Sequence, residues 1–269
     1  MRIRRTAFTC SSRFLALVYL CYLFQDGNTQ LLINVKNQGG DVLQETITSN
    51  VTEDVVTLEF QRSDGTLVTQ LIDFRQNVQI LKALVLGEEE RGQSQYQVMC
   101  FVSHIEKAEF ISSDAMAKLR QKNPGTVRMP EEDRGRHNFT MDLFVDTSRS
   151  GVISKHIVNL CTEAKDATYT RQADLKLWSE QPGASMSILL SSVSPFPVEN
   201  TSPPRCIEIT SMWKPCTCHL EMCIGWYPCS LKYCKGKSDA SYRCGIKTCR
   251  KCNLFAYYVS QKQMCLWDE

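Results

Sequence analysis

Apolar and polar positions alternate along much of residues 30–105. Val56, Leu58 and Phe60 interleave with Thr57, Glu59 and Gln61, the period-two pattern of a half-buried strand. Residues 31–36 and 42–48 read as strands separated by Gly39-Gly40. Ser63-Asp64-Gly65 sits between two β-prone runs, and Asp-Gly in that setting predicts a hairpin into a strand over 67–74. Further strands are expected over 78–86 and 96–105, split by the charged tip 87–92, with the second carrying Cys100.

Helical spacing enters later. Ser112 or Ser113 can cap a helix over 114–122, with Asp114 in its first turn and Pro124-Gly125 ending it. Residues 126–137 are charged and loop-like, and 141–145 reads as a strand. Residues 153–178 are predicted mainly helical, because Ile157, Leu160, Cys161 and Ala164 share a face that Ala167, Leu175 and Trp178 extend. A segment rich in Pro and Ser, 179–205, then reads as a linker, with a surface loop left open.

Cysteine usage changes the picture most. There are 14 in 269 residues. Arg2, Arg4, Arg5 and Arg13 surround the start of an apolar run over 14–24, after which polarity returns at once. Such a run reaches only ~16 Å as a helix, about half the hydrocarbon thickness, so residues 1–28 are predicted to be a cleaved signal peptide rather than an anchor. Its removal discards Cys10 and Cys21, leaving an even twelve, as expected of a disulfide-bonded secreted chain without membrane insertion. Asn50, Asn138 and Asn200 head glycosylation sequons.

Ten of the twelve crowd into 206–269, at Cys206, Cys216, Cys218, Cys223, Cys229, Cys234, Cys244, Cys249, Cys252 and Cys265. A unit that short buries little apolar surface, so cross-links are expected to supply its order. Zinc is the alternative, since Cys216-x-Cys218 and Cys249-x-x-Cys252 resemble ligand pairs, but His219 is the one nearby histidine. Connectivity stays open. Cys100 and Cys161 stand apart; a bridge between them would close about 60 residues and stabilise by roughly 4 kcal/mol, the alternative being two buried thiols.

Charge and chemistry narrow the function. The same C-terminal region is basic, and Lys232, Lys235, Lys237, Arg243, Lys247, Arg250 and Lys251 are candidate anion-binding residues for sulfated glycans or an acidic partner. Scattered solubilising lysines are the plainer reading. Trp213, Trp226, Tyr227 and Tyr233 lie among these charges and are expected to cover bridges. Gly92-Gln93-Ser94-Gln95-Tyr96 fails the nucleophile-elbow pattern because Tyr96 stands where glycine is required. With four histidines and no phosphate loop, H-E-x-x-H or dinucleotide fingerprint, a non-catalytic protein is expected, with no cofactor and no nucleic-acid partner. A catalytic pair assembled from distant residues stays open.

The blocks Gly92-QSQYQVMCFV, Ala115-MAKLRQKNPG, Tyr169-TRQADLKLW, Trp226-YPCSLKYC and Cys265-LWDE closely resemble the Out at first family, and together span the chain from about residue 31 onward. The resemblance implies a secreted extracellular protein linked with development, acting on an unidentified partner or receptor. The family pattern carries ten mature cysteines, which leaves Cys223 and Cys252 as additions here and implies a bridge between them. Residues 29–178 are also similar to a BRICHOS domain, through Asp73, Cys100 and the later Cys161. That likeness implies an α+β fold, a β-sheet with two flanking helices, followed by a disulfide-rich domain over 206–269, and a chaperone of β-prone segments as the alternative function.

Overall fold

The structure is a computed structural model that describes residues 29–36, 39–197, 203–236 and 241–265. The expected leader over 1–28 lies outside them. The chain is mostly β. Strands β1 (Thr29–Lys36), β2 (Val42–Asn50), β3 (Val55–Gln61), β4 (Leu67–Asp73), β5 (Val78–Leu86) and β6 (Tyr96–His104) form an antiparallel meander. Period-two alternation sets each strand's register, with Ile47, Leu58, Val68 and Phe101 pointing to one face. At the Asp-Gly turn, Asp64 Oδ1 accepts the Thr66 N–H at 2.9 Å and Gly65 takes φ +88°. Leu86 packs where a Cβ on Gly65 would stand, so the turn needs glycine twice over.

Ser112 caps α1 (Ser113–Ala117) by accepting the Ala115 N–H. The helix is shorter than the 114–122 expected. The Arg120 guanidinium captures the Ala117 and Leu119 carbonyls, and Gln121 bonds the backbone of Leu32. These bonds lead the chain out along β1, where β7 (Val127–Arg128) pairs in parallel. Residues expected to be a charged loop hold β8 (Glu132–Thr140), and β9 (Leu143–Val145) follows.

The long helix expected over 153–178 is not formed. Ser154 caps α2 (Lys155–Cys161), and its hydroxyl donates to Asp73 Oδ2 at 2.7 Å. Asp73 Oδ1 accepts the Arg75 and Gln76 N–H groups, so one buried carboxylate closes the β4–β5 turn and fixes the start of α2. The run Thr168-Tyr169-Thr170 then enters the sheet as β10, parallel to β6, before α3 (Gln172–Ser179) resumes. β-branched threonines and an aromatic prefer that buried strand to another helical turn.

The expected linker is also structured. Residues 179–197 carry α4 (Met186–Leu190) and β11 (Val193–Pro195), which extends the sheet on β9. Phe196 packs edge-on against Phe144 at 4.7 Å. The sheet has ten strands in the order β11-β9-β10-β6-β5-β4-β3-β2-β1-β7.

The cysteine-rich segment forms β12 (Cys216–Lys235) and β13 (Ser241–Val259), an antiparallel hairpin that recruits β8 as a parallel third strand. This small sheet lies on the meander and shares its core. Phe255 stacks on Phe101 at 4.2 Å, with Tyr257 edge-on to the same ring at 5.2 Å. The opposite face of β5 and β6 packs under α2, α3 and α4, with Ile80, Val102, Ile157, Leu175 and Trp178 buried around the Cys100–Cys161 bridge.

A polar clamp seats the hairpin. β12 bulges between Ile224 and Tyr227, and the Gly225 N–H donates to Glu45 Oε1 at 3.1 Å. A Cβ on Gly225 would meet Val35 Cγ1 at 2.8 Å, so only glycine allows this approach. Glu45 is 2 % exposed, and burial pushes its pKa up to about 8 against the lowering effect of the Gly225 and Trp226 amides. A raised carboxyl pKa stabilises the fold fully below the unfolded value and ceases to do so as pH climbs through the folded one. Unfolding midpoints in urea are therefore expected to fall between pH 4.5 and about 8 through this group. Glu45→Gln should flatten that slope and exceed the native chain in stability near pH 8; an unchanged slope would remove Glu45 as its source.

Candidate functional site

All twelve cysteines of the described residues are paired. The bridges are Cys100–Cys161, Cys206–Cys216, Cys218–Cys265, Cys223–Cys252, Cys229–Cys249 and Cys234–Cys244. Hairpin register accounts for much of this pattern, because Cys223 lies directly opposite Cys252, and Cys249 opposite Tyr227 two residues before Cys229. Two further bridges tie the flanks down at the root of β12. The sulfurs of Cys206, Cys218 and Cys265 lie within 4.8 Å of one another, but each is bonded to another sulfur and offers no thiolate to a metal.

The candidate anion-binding residues separate into two groups. Lys232 pairs with Glu131 at 2.6 Å, Lys247 with Glu132, Arg250 with Asp133 at 2.6 Å and Lys251 with Glu109 at 3.1 Å. Lys251 is also 5.6 Å from the Tyr227 ring centre and 5 % exposed, which makes it an interior group. The Lys247 ammonium holds Glu132 below the usual carboxylate range. Parallel pairing of β8 with β13 thus brings the acidic run Glu131-Glu132-Asp133 alongside the basic one. Lys235 and Arg243, toward the hairpin's far end, stay exposed and carry no ion pair among the described residues, while Lys237 lies outside those residues.

The remaining aromatic and sequon positions divide likewise. Trp226 and Tyr227 are buried, whereas Trp213, Tyr233 and Tyr242 are exposed. Asn138 is exposed on β8, Asn50 ends β2 half-buried with its Oδ1 accepting the Glu53 N–H, and Asn200 lies outside the described residues. The sequence reading passed over Glu45; its one signal was phase, since it shares the inward side of β2 with Leu43 and Ile47.

Three clefts deserve chemical comparison. The largest, about 480 Å³, is lined by Phe144, Asp146, Ser148, Lys165, Asp166 and Ser194. One of about 290 Å³ is mainly apolar, with Leu119, Met129 and Trp226 in its wall. One of about 280 Å³ holds Glu45, Arg62, Glu221 and Arg250, where Arg62 pairs with Asp64 and Arg250 with Asp133. Elsewhere Ser154, Asp73 and His156 meet, but Ser154 donates straight to Asp73 and takes only the backbone N–H of His156. No imidazole stands between hydroxyl and carboxylate, so the trio caps a helix and does not build a nucleophile–base relay.

Because carboxylates already neutralise four of the candidate cations, the full chain should leave a heparin column at low salt. Replacing Glu131, Glu132 and Asp133 with Gln, Gln and Asn should raise the eluting salt concentration. Equal elution of the two proteins would show that the pairs do not mask the basic face.

Family models cover both parts of the chain: Out at first matches residues 29–178, and Out at first, C-terminal, matches 205–269. The Out at first protein of Drosophila virilis is 61 % identical over 266 residues, covering 93 % of this chain and 87 % of that protein. The Drosophila melanogaster protein of the same name is 58 % identical over 285 residues, covering 99 % of this chain but 58 % of its own length. No solved structure matches. With all six bridges inside the matched regions, the chain belongs to the Out at first family.

Proposed function

We propose that this chain is a secreted, non-catalytic protein that binds an extracellular partner. The observation that carries the reading is the set of six disulfides, one tying β6 to α2 and five within residues 206–265, which fits an oxidising compartment. No helix of the described residues is long and apolar enough to cross a membrane. The leader expected over 1–28 supplies an export route, and exposed Asn138 is open to a glycan. Rigid, cross-linked β surfaces of this kind present binding faces without a reacting group.

A chaperone of β-prone segments is the second reading, favoured by the bridge from central strand β6 to α2 and by buried Asp73. Against it, the apolar sheet face around Phe101 is already covered by Phe255 and Tyr257 of the same chain.

Expression in secretory cells tests the proposal. The protein should accumulate in the medium without free thiols, lose a glycosidase-sensitive mass on Asn138→Gln, and bind living cells saturably. Retention inside cells, or absence of saturable binding, would refute it. Added at equimolar ratio to an amyloid-forming peptide, the full chain should leave the fibril lag unchanged; a prolonged lag would favour the chaperone.

A further inference from the structure

The β12–β13 hairpin is longer than its seat. Its root, from Cys216 to Cys229, lies largely buried on the meander, and Leu231 and Ile246 are the last side chains to touch that core. Beyond them Lys232–Lys235 and Ser241–Gly245 are exposed on both strands. A free two-stranded ribbon is marginally stable in water. This one nevertheless stays paired past a register shift between Lys232 and Tyr233, with Tyr233 opposite Arg243, Cys234 opposite Tyr242 and Lys235 opposite Ser241.

The staple that holds it is unusual among the six. Cys234 and Cys244 are both exposed, whereas every other bridge has at least one buried cysteine. This bridge supports no core. Its physical effect is to remove freedom from the arm in advance, so that less order has to be imposed when something binds.

We infer that the distal ribbon is a preformed docking finger for an acidic surface on a partner protein, an inference that rests on the extracellular binding role proposed above. Tyr233 and Tyr242 are 61 % and 56 % exposed. Tyr233, Lys235 and Arg243 share one ribbon face, because directly opposed and alternate positions point the same way. Tyrosine and arginine are enriched among residues that dominate binding energy. Among the described residues, the cations nearer the root meet Glu109, Glu131, Glu132 and Asp133, while Lys235 and Arg243 meet no carboxylate. Two cations beside Tyr233 on one face suit a compact carboxylate patch, with Tyr242 at the ribbon's other face. A linear sulfated polymer would need a longer row of free cations.

The test uses the full-length secreted protein on two surfaces, an immobilised glutamate-rich peptide and immobilised heparin. The native chain should bind the acidic peptide in a salt-sensitive manner. Lys235→Glu with Arg243→Glu, and separately Tyr233→Ala with Tyr242→Ala, should each weaken binding at least tenfold. Lys176→Glu, exposed on α3 on the other face of the large sheet, should not. Thermal unfolding of the ribbon variants should match the native chain, since the arm lies outside the core. Failure of the native chain to bind the peptide, or equal binding by the charge-reversed variant, would overturn the inference. Stronger retention on heparin, lost in the same variant, would assign the finger to a glycan and overturn the protein partner. Intracellular retention would instead defeat the secreted reading, and these binding results on purified protein stand apart from it.

Discussion

Covering one face of the meander by the C-terminal hairpin is the contact on which the remaining architecture rests. Phe101 is the middle of that contact, stacked on Phe255 and flanked by Tyr169 and Tyr257. Each such large side chain contributes roughly 1.5–3 kcal/mol by leaving water. Disulfides cannot replace this packing. They cross-link the hairpin and its flanks to one another within 206–265, while the rings decide where it sits. Polar groups caught at the same boundary are handled locally: Glu45 takes backbone amides from the β12 bulge, and Lys251 takes Glu109 and the Tyr227 ring.

The two faces of the large sheet are secured by different means. Under the hairpin, aromatic stacking dominates. Under the helices, aliphatic packing is joined by the Cys100–Cys161 bridge and by the Asp73–Ser154 hydrogen bond. Both faces therefore connect to β6, which carries Phe101 on one side and Cys100 on the other. Neighbouring residues in a strand point to opposite faces, so one short segment joins two cores.

Strands β1 to β6 were legible in the sequence because their partners are adjacent and their alternation is regular. Cys100 and Cys161 were legible as an isolated pair in apolar surroundings. What was hidden is non-local. β8 lacks apolar alternation, since its side chains are largely exposed and its place is set by a partner more than a hundred residues away. β10 was masked by the accidental helical spacing of Ile157, Ala164 and Leu175. The contact between the two regions was hidden for a similar reason: cysteine density marks the hairpin, yet nothing local shows that its inner face packs on the meander. Charge counting along 206–269 alone omits the carboxylates that β8 brings from 131–133 to Lys232, Lys247 and Arg250.

The placement of that covering hairpin has a consequence for biosynthesis. Synthesis runs from the N-terminus, so the meander is complete long before β13 exists. Until residues near Phe255 emerge, the face of Ile47, Leu58 and Phe101 has only α1 and Tyr169 against it and lacks the hairpin. Exposed sheet faces of this kind are where nascent proteins aggregate or meet helpers. The last fifth of the polypeptide thus decides when the first part becomes safe to leave unattended, and a chain that stops short of it would be lost to quality control rather than merely lack a binding arm.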